Sequence, residues 1–240
     1  RATKRLEDAV AEAPEDLTLR LGLARLYLRT GQPSRNLSLV YEAKGDEATD
    51  PRILEILVRS QMDLGQYPLA LNNFQNLVEE RDDAEANYLL SQALLQINKL
   101  EEGQLALDKV LELQPDHFGA SVMRVRILRQ ENRFEEALKA FDDIDPAYEQ
   151  RTEVLIESGW LSLWRKDYAQ AIKAFEQAFE KVPSSLLVIQ LSIARWNAGQ
   201  EEASLKGCRD WLKDNPQDAQ VMFHLANYYM QRGDDGEAVA

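Results

Sequence analysis

GWLSLWRKDYAQAIKAFEQAFEKVP, residues 159–183, decides the fold of this chain. Apolar residues recur at three- and four-residue steps on both sides of Lys166, which is the spacing of one helix face. Pro183 marks the end of the second stretch, because proline cannot continue a helix. The segment therefore predicts two helices joined by a turn near Lys166.

The same pattern returns every 33 or 34 residues from one end of the chain to the other. Gly and Asn, which dominate the turn position, tolerate the left-handed conformation that ends a helix. A fixed period of this size predicts a stacked array of small units rather than one central core. The turn residues are Gly31, Gly65, Asn98, Asn132, Lys166, Gly199 and Gly233.

Start and stop signals agree with this period. An Asp or Ser that can cap the next helix precedes five unit starts, namely Asp16, Asp50, Asp83, Ser184 and Asp218. Proline falls at one common position near four unit ends, as Pro14, Pro115, Pro183 and Pro216. We therefore assign residues 1–240 to one array, with a partial unit at 1–16 and a truncated unit at 219–240. The complete units are 17–50, 51–83, 84–117, 118–151, 152–184 and 185–218.

Two columns of small residues predict how the helices approach each other, because small side chains let two backbones pack closely. The first-helix column is Ala24, Val58, Ser91, Val125, Gly159, Ser192 and Ala226, and the second-helix column is Asn36, Ala70, Gly103, Ala137, Ala171, Ser204 and Ala238. Large apolar residues four positions after the second column, such as Phe74 and Phe175, are expected to fill the space between units.

This pattern resembles the tetratricopeptide repeat, a 34-residue helix-turn-helix unit. That family has small residues at its eighth and twentieth positions, a large one at the twenty-fourth and often proline at the thirty-second, as in the unit that contains Gly159, Ala171, Phe175 and Pro183. The resemblance implies an all-α fold, a right-handed α-solenoid superhelix of helix-turn-helix repeats. The first complete unit departs most from the family pattern, through Arg20, Asn36 and Ala48.

Two segments, residues 182–200 and 210–219, also resemble the bacterial tetratricopeptide lipoproteins of the PEP-CTERM/exosortase system. This narrower resemblance implies a periplasmic or outer-membrane-anchored location and a link to exopolysaccharide production or protein sorting. Because neither end has a polar capping unit, we expect a fragment of a longer protein, and self-association through the ends is an open alternative.

Composition restricts the function further. A net charge of −13 disfavours nucleic acid as a partner, because phosphate binding needs accessible Lys and Arg. No stretch approaches the roughly 20 apolar residues that span a bilayer, so no membrane insertion is expected. The single cysteine, Cys208, falls in the large-residue column and is expected to be a buried structural thiol.

Motifs for catalysis are missing from the sequence, so we expect neither an enzyme nor a cofactor. His117 stands at a helix start, where a surface role is expected, and His224 lies three units away, so no metal site is predicted. Acidic pairs such as Glu101 and Glu102 begin second helices, where they favour the positive end of the helix dipole.

In the family that this chain resembles, defined positions of the first helices line a concave groove. Carried onto this sequence, they predict an arginine zone in the first four units and an aromatic zone in the last three. We therefore predict a groove that takes an extended or helical protein segment, acidic at one end and apolar at the other. The candidate residues are Arg25, Arg29, Arg59, Tyr88, Arg126, Arg129, Trp160, Trp164, Trp196 and Phe223.

Two alternatives stay open for these residues. The arginines would serve the fold alone if they pair with Glu55, Asp63 or Glu85, and the aromatic residues would do so if they pack between units. A carbohydrate-binding groove, with tryptophans stacked on sugar rings, is the alternative function. A chaperone tail is not expected, because Leu21 and Arg25 replace the Lys and Asn of the family's carboxylate clamp.

Overall fold

A computed structural model describes residues 2–41, 47 and 50–233 of the chain. The described part consists of fourteen α-helices, short 3-10 turns, as at Pro146–Tyr148, and loops, and it contains no strand. The predicted class, an all-α solenoid of helix-turn-helix repeats, is confirmed. None of these helices is long and apolar enough to cross a membrane.

The helices alternate strictly between first and second members of a pair, after one leading helix. They are α1 (Ala2–Glu12), α2 (Leu17–Arg29), α3 (Pro33–Val40), α4 (Pro51–Asp63), α5 (Tyr67–Glu80), α6 (Ala84–Gln96), α7 (Leu100–Leu113), α8 (Phe118–Gln130), α9 (Phe134–Asp142), α10 (Thr152–Trp164), α11 (Tyr168–Lys181), α12 (Ser185–Asn197), α13 (Glu201–Asp214) and α14 (Ala219–Arg232).

The seven first helices begin at the residues where the period places the unit starts. The predicted cap residues accept hydrogen bonds there, as where the Asp83 carboxylate accepts from the Ala86 amide at 2.9 Å. Asp16, Asp50, Ser184 and Asp218 do the same for their own helices. A capped start and a proline after the end explain why the helix boundaries follow the sequence so closely.

Each turn is closed by the backbone. The turn residues have φ between 60° and 77°, and Lys166, which has a side chain larger than Gly or Asn, adopts the same conformation with φ 62°. The Lys166 amide donates to the Leu163 carbonyl at 3.0 Å, and the Asp167 amide donates to the Ser162 carbonyl at 2.9 Å. This pair of backbone bonds recurs at Gly31, Gly65, Asn98, Asn132 and Gly199.

Contacts divide the chain into two compact units, Arg1–Ala120 and Ser121–Ala240, here called unit 1 and unit 2. In unit 1, Val58, Ala70 and Phe74 are fully buried together. In unit 2, Ala171 and Phe175 are fully buried in the same way. The small-residue columns thus form the core of each unit.

Gly159 shows why one column position must be small. An added Cβ would lie 2.5 Å from Cε1 of the buried Phe175 ring, so the aromatic ring occupies the space that a side chain would need. The expected second helix of the last repeat, with Ala238, lies outside the described residues, as does Ala48. The assignment of 1–240 to one array stays a prediction.

Candidate partner-binding cleft

Unit 1 has a cleft of about 590 Å³ on the side of its first helices, formed by α2, α4 and α6. Its apolar lining comes from Leu28, Ile56, Met62 and Leu89. Its charged lining is four arginines and two acids, Arg25, Arg29, Arg52, Arg59, Glu55 and Asp63. The cleft is therefore basic by composition in a chain whose net charge is −13.

Arg25 and Arg29 give the cleft its unpaired positive charge. They are four residues apart on α2, so their side chains leave the same face of the helix. Both residues are exposed, and neither forms an ion pair with any residue that the structure describes. Their guanidinium groups keep planar sets of donors that fit a carboxylate, so they can bind an acidic ligand without breaking an existing pair.

Arg52 and Arg59 are held by acids of unit 1. Arg52 donates two hydrogen bonds to the Asp50 carboxylate, from Nε at 3.0 Å and from Nη2 at 2.7 Å. This hydrogen bonding lowers the pKa of the Asp50 carboxyl. Arg59 donates to Glu55 at 3.1 Å and to Glu85 at 2.5 Å. Arg59 therefore follows the alternative in which the arginines serve the fold, since it pairs with Glu55 and Glu85. It does not pair with Asp63.

Tyr88 packs away from this cleft. Its ring centroid lies 4.6 Å from that of His117, and an added Cβ on Gly119 would come within 2.5 Å of the Tyr88 hydroxyl. His117 is half-buried rather than at the surface, and its Nδ1 accepts from the Ala120 amide at 3.1 Å. The histidine thus caps α8, which is the role that its position at a helix start allows.

In unit 2, Arg126 and Arg129 converge on Glu157. Their Nε atoms donate to the two carboxylate oxygens at 3.1 Å and 2.9 Å, and Glu157 is only 1% exposed. The repeat pattern did not predict this carboxylate. The sequence feature that could have indicated it is a Glu at the sixth position of a first helix, a position that Ile56 and Leu89 hold in earlier repeats.

The predicted aromatic residues of unit 2 mostly contact other side chains. The Trp164 ring stacks on Phe134 at 4.9 Å, and the Trp196 ring stacks on Tyr228 at 4.1 Å. Trp160 lies under the Arg129 guanidinium at 4.8 Å. Trp164 and Trp196 thus pack between helices, as in the alternative in which the aromatic residues serve the fold. Phe223 is 70% exposed, and the binding role of all four residues stays a prediction.

Cys208 and His224, the reactive side-chain types of the last two repeats, are buried and half-buried respectively. Cys208 is fully buried, and burial raises the pKa of its thiol. His224 places Nε2 at 3.1 Å from the Ser192 hydroxyl, and burial lowers the pKa of this imidazole. Within the described residues there is no group of three His, Cys, Asp or Glu side chains that could hold a metal ion.

Comparison with known proteins identifies the repeat. Three family models, all described as tetratricopeptide repeat, match residues 1–57, residues 57–103 and 88–151, and residues 153–185. The human Superkiller complex protein 3 is 26% identical in an alignment of 150 residues that covers 59% of this chain and 10% of that protein. This chain thus spans about a tenth of the length of its human relative.

Solved structures of low sequence identity share the fold. The hetero-tetramer Cut9-Hcn1 of the APC/C has a chain with a TM-score of 0.79 at 13% identity, over 98% of this chain and 47% of that one. YrrB, described as a TPR protein with an unusual peptide-binding site, gives a TM-score of 0.53 at 16% identity, over 76% of this chain and 94% of that one. Both likenesses concern the fold.

Proposed function

We propose that this chain, which belongs to the tetratricopeptide repeat family, is a protein-interaction scaffold whose unit 1 cleft binds an acidic segment of a partner protein. The observation that carries the proposal is the pair Arg25 and Arg29, exposed on one face of α2 and without ion pairs among the described residues. The fold fits a scaffold, and YrrB, which shares it, is described as binding a peptide.

The lining suggests how such a segment would bind. Its carboxylates would pair with the free guanidinium groups of Arg25 and Arg29, in the forked geometry that arginine offers. Its apolar side chains would contact Ile56 and Leu89, which lie in the same cleft. A cleft of about 590 Å³ is within the range of ligand sites and takes one or two side chains at a time.

The test is a double charge reversal, Arg25→Glu with Arg29→Glu, measured by fluorescence anisotropy with a labelled peptide of alternating glutamate and leucine. We expect affinity to fall about tenfold or more, because two attractive charges become repulsive. Binding by the unchanged protein should also weaken as salt is added, since exposed charges are screened.

The matched control is Lys139→Glu with Lys173→Glu, which changes the net charge equally on exposed residues of unit 2. If both variants bind the peptide equally, only the overall charge matters and the cleft is not the site. A neutral glucan tested with the same proteins addresses the carbohydrate alternative, for which Trp160→Ala should lower binding and the arginine variant should not.

We also propose the setting implied by the narrower resemblance, an assembly role in a bacterial envelope system linked to exopolysaccharide production or protein sorting. The supporting observation is the likeness of residues 182–200 and 210–219 to lipoproteins of that system. Fractionation of cells that express the full-length protein tests the location. Recovery of the protein in the cytoplasm alone would contradict it.

A further inference from the structure

A second cavity, of about 620 Å³, lies in unit 2 on the side of the second helices. Its floor is α12, and its walls are α11 and α13. Phe179, Leu191 and Trp211 give it an apolar lining. None of the predicted groove residues lines it, so this cavity is separate from the surfaces considered so far.

Three residue choices distinguish this repeat from the others at the cavity. Arg195 stands where the other first helices have uncharged residues, Tyr27, Gln61, Leu94, Leu128, Ser162 and Tyr229. Gly207 stands where other described second helices have Leu39, Asn73, Ala106, Ala140 and Ala174. Trp211 replaces smaller residues, Leu77, Val110, Ile144 and Ala178. All three unusual residues line the same cavity.

These residues form a fixed arrangement. The Arg195 Nη2 atom donates to Glu176 at 2.8 Å, so its guanidinium joins α12 to α11. An added Cβ on Gly207 would lie 3.2 Å from Arg195 Nη1, so the guanidinium packs closely against this glycine and a side chain there would displace it. The Trp211 indole N–H donates to Asp218 at 2.7 Å, and its ring meets Phe179 edge-on at 6.0 Å. Both aromatic walls are therefore held in place.

The charge of the cavity is opposite to that of the unit 1 cleft. Its lining has four acids against Arg195, and two of the acids are already engaged, Glu176 by Arg195 and Asp210 by Lys213. Glu180 and Asp214 are exposed and form no ion pair with a described residue. Asp214 is the last residue of α13, where the helix dipole disfavours a negative charge. Its carboxylate therefore does not serve the stability of that helix.

We propose that this cavity binds a basic segment of a partner protein. An apolar side chain of the segment packs against the touching rings of Phe179 and Trp211. A neighbouring lysine or arginine pairs with Glu180 and Asp214. The occupant follows from charge complementarity, because the free charges at the cavity are carboxylates and its walls are apolar. The chain thus carries two sites of opposite preference, one in each unit.

Binding is measured by fluorescence anisotropy at physiological salt with a labelled peptide of alternating leucine and lysine. The test variant Glu180→Gln with Asp214→Asn removes the two free charges and keeps every apolar contact. We expect affinity to fall about three- to tenfold, as for the loss of two partly exposed ion pairs. The matched control, Asp142→Asn with Glu149→Gln, removes the same charge from exposed positions of unit 2 and should bind like the unchanged protein.

A second variant tests the cavity itself. Gly207→Met places a side chain beside Arg195 and should abolish binding, while circular dichroism shows whether the helices are retained. Should Gly207→Met unfold the protein, Trp211→Leu, which introduces the residue found at position 77, replaces it as the test of the wall.

Three outcomes would overturn the proposal. The first is that the charge variant and its control bind the peptide equally. The second is that folded Gly207→Met or Trp211→Leu binds it with unchanged affinity. The third is that the unchanged protein binds equally well a peptide with serine in place of leucine. The Arg25 and Arg29 variant should bind the basic peptide normally, so the two proposed sites fail or succeed independently.

Discussion

At the scale of single residues, two glycines in helix interiors of unit 2 differ in what an added side chain would meet. Gly159 lies against the rigid ring of Phe175, so the ring already fills the space that a side chain would need. Gly207 lies beside the flexible end of Arg195 and borders a cavity, so a Cβ there, 3.2 Å from Nη1, requires only a small shift of that side chain. Sequence alone presents both as small residues in a helical stretch. Only the partner atoms distinguish them.

This contrast predicts opposite effects of alanine. Gly159→Ala should lower the free energy of unfolding by about 1–3 kcal/mol, because its Cβ overlaps the buried Phe175 ring. Gly207→Ala should be neutral or stabilising by up to about 1 kcal/mol, since alanine favours the helix and Arg195 can shift. Thermal melts followed by circular dichroism compare the two. Equal melting temperatures would show that Phe175 does not occupy the space beside residue 159.

His224 predicts a dependence of stability on pH. Its pKa is lowered by burial in the folded chain, so below the unfolded value of about 6.5 the unfolded state binds the proton more readily. The stabilisation from the neutral imidazole is present above about pH 6.5 and is lost as the pH falls below it. We expect the melting temperature to fall by roughly 1–3 °C more between about pH 7.5 and pH 5 than in His224→Gln. Identical pH profiles would exclude this role.

At the scale of helices, one cap does more than the others. Asp218 accepts from the Val221 amide at 3.2 Å, from the Ser185 hydroxyl at 2.5 Å and from the Trp211 indole at 2.7 Å. Bonds from Ser185 and Trp211 also lower the pKa of its carboxyl. A single side chain thus joins α12, α13 and α14. The pattern of the sequence predicted the cap, but not the two bonds to other helices.

Replacing this cap should therefore cost more than replacing an ordinary one. Asp83→Ala removes one cap bond and a partly exposed ion pair with Arg81, and it should destabilise the protein by about 1 kcal/mol. Asp218→Ala also leaves the part-buried Trp211 N–H without its acceptor, and we expect about 2–3 kcal/mol. Chemical denaturation of both variants measures the difference. A smaller effect at Asp218 than at Asp83 would contradict the three-helix role.

At the scale of the whole molecule, the period made helix starts, turns and most buried column positions predictable, because each recurs along the described chain under the same local rules. Side-chain pairing was harder to predict. Arg25 and Arg59 hold equivalent positions, yet Arg59 has Glu55 and Glu85 beside it while Arg25 has no such partner among the described residues. Such differences depend on acids elsewhere in the fold, which the repeat pattern does not constrain. The face that holds the proposed cleft was therefore predictable, but the arginines left without ion pairs were not.

Repeat arrays are held by contacts between neighbours, so they need not unfold in one step. All four tryptophans, Trp160, Trp164, Trp196 and Trp211, lie in unit 2, whereas helices occupy both units. We expect the denaturation midpoint from tryptophan fluorescence to differ from that of far-ultraviolet circular dichroism. Coincident curves from the two probes would show that the described chain unfolds as one cooperative body.

The backbone-closed turns have a consequence for how such a gene can change. Since the same two main-chain bonds secure the six turns from Gly31 to Gly199, the junction between helices depends little on which side chains flank it. A duplication or deletion of 33 or 34 codons joins equivalent junctions and keeps every later residue in its column. A deletion of half that length would fuse first helices onto second helices. Descendants of this gene should therefore differ in length by whole repeats, and new binding surfaces can arise by copying a unit before its exposed residues diverge.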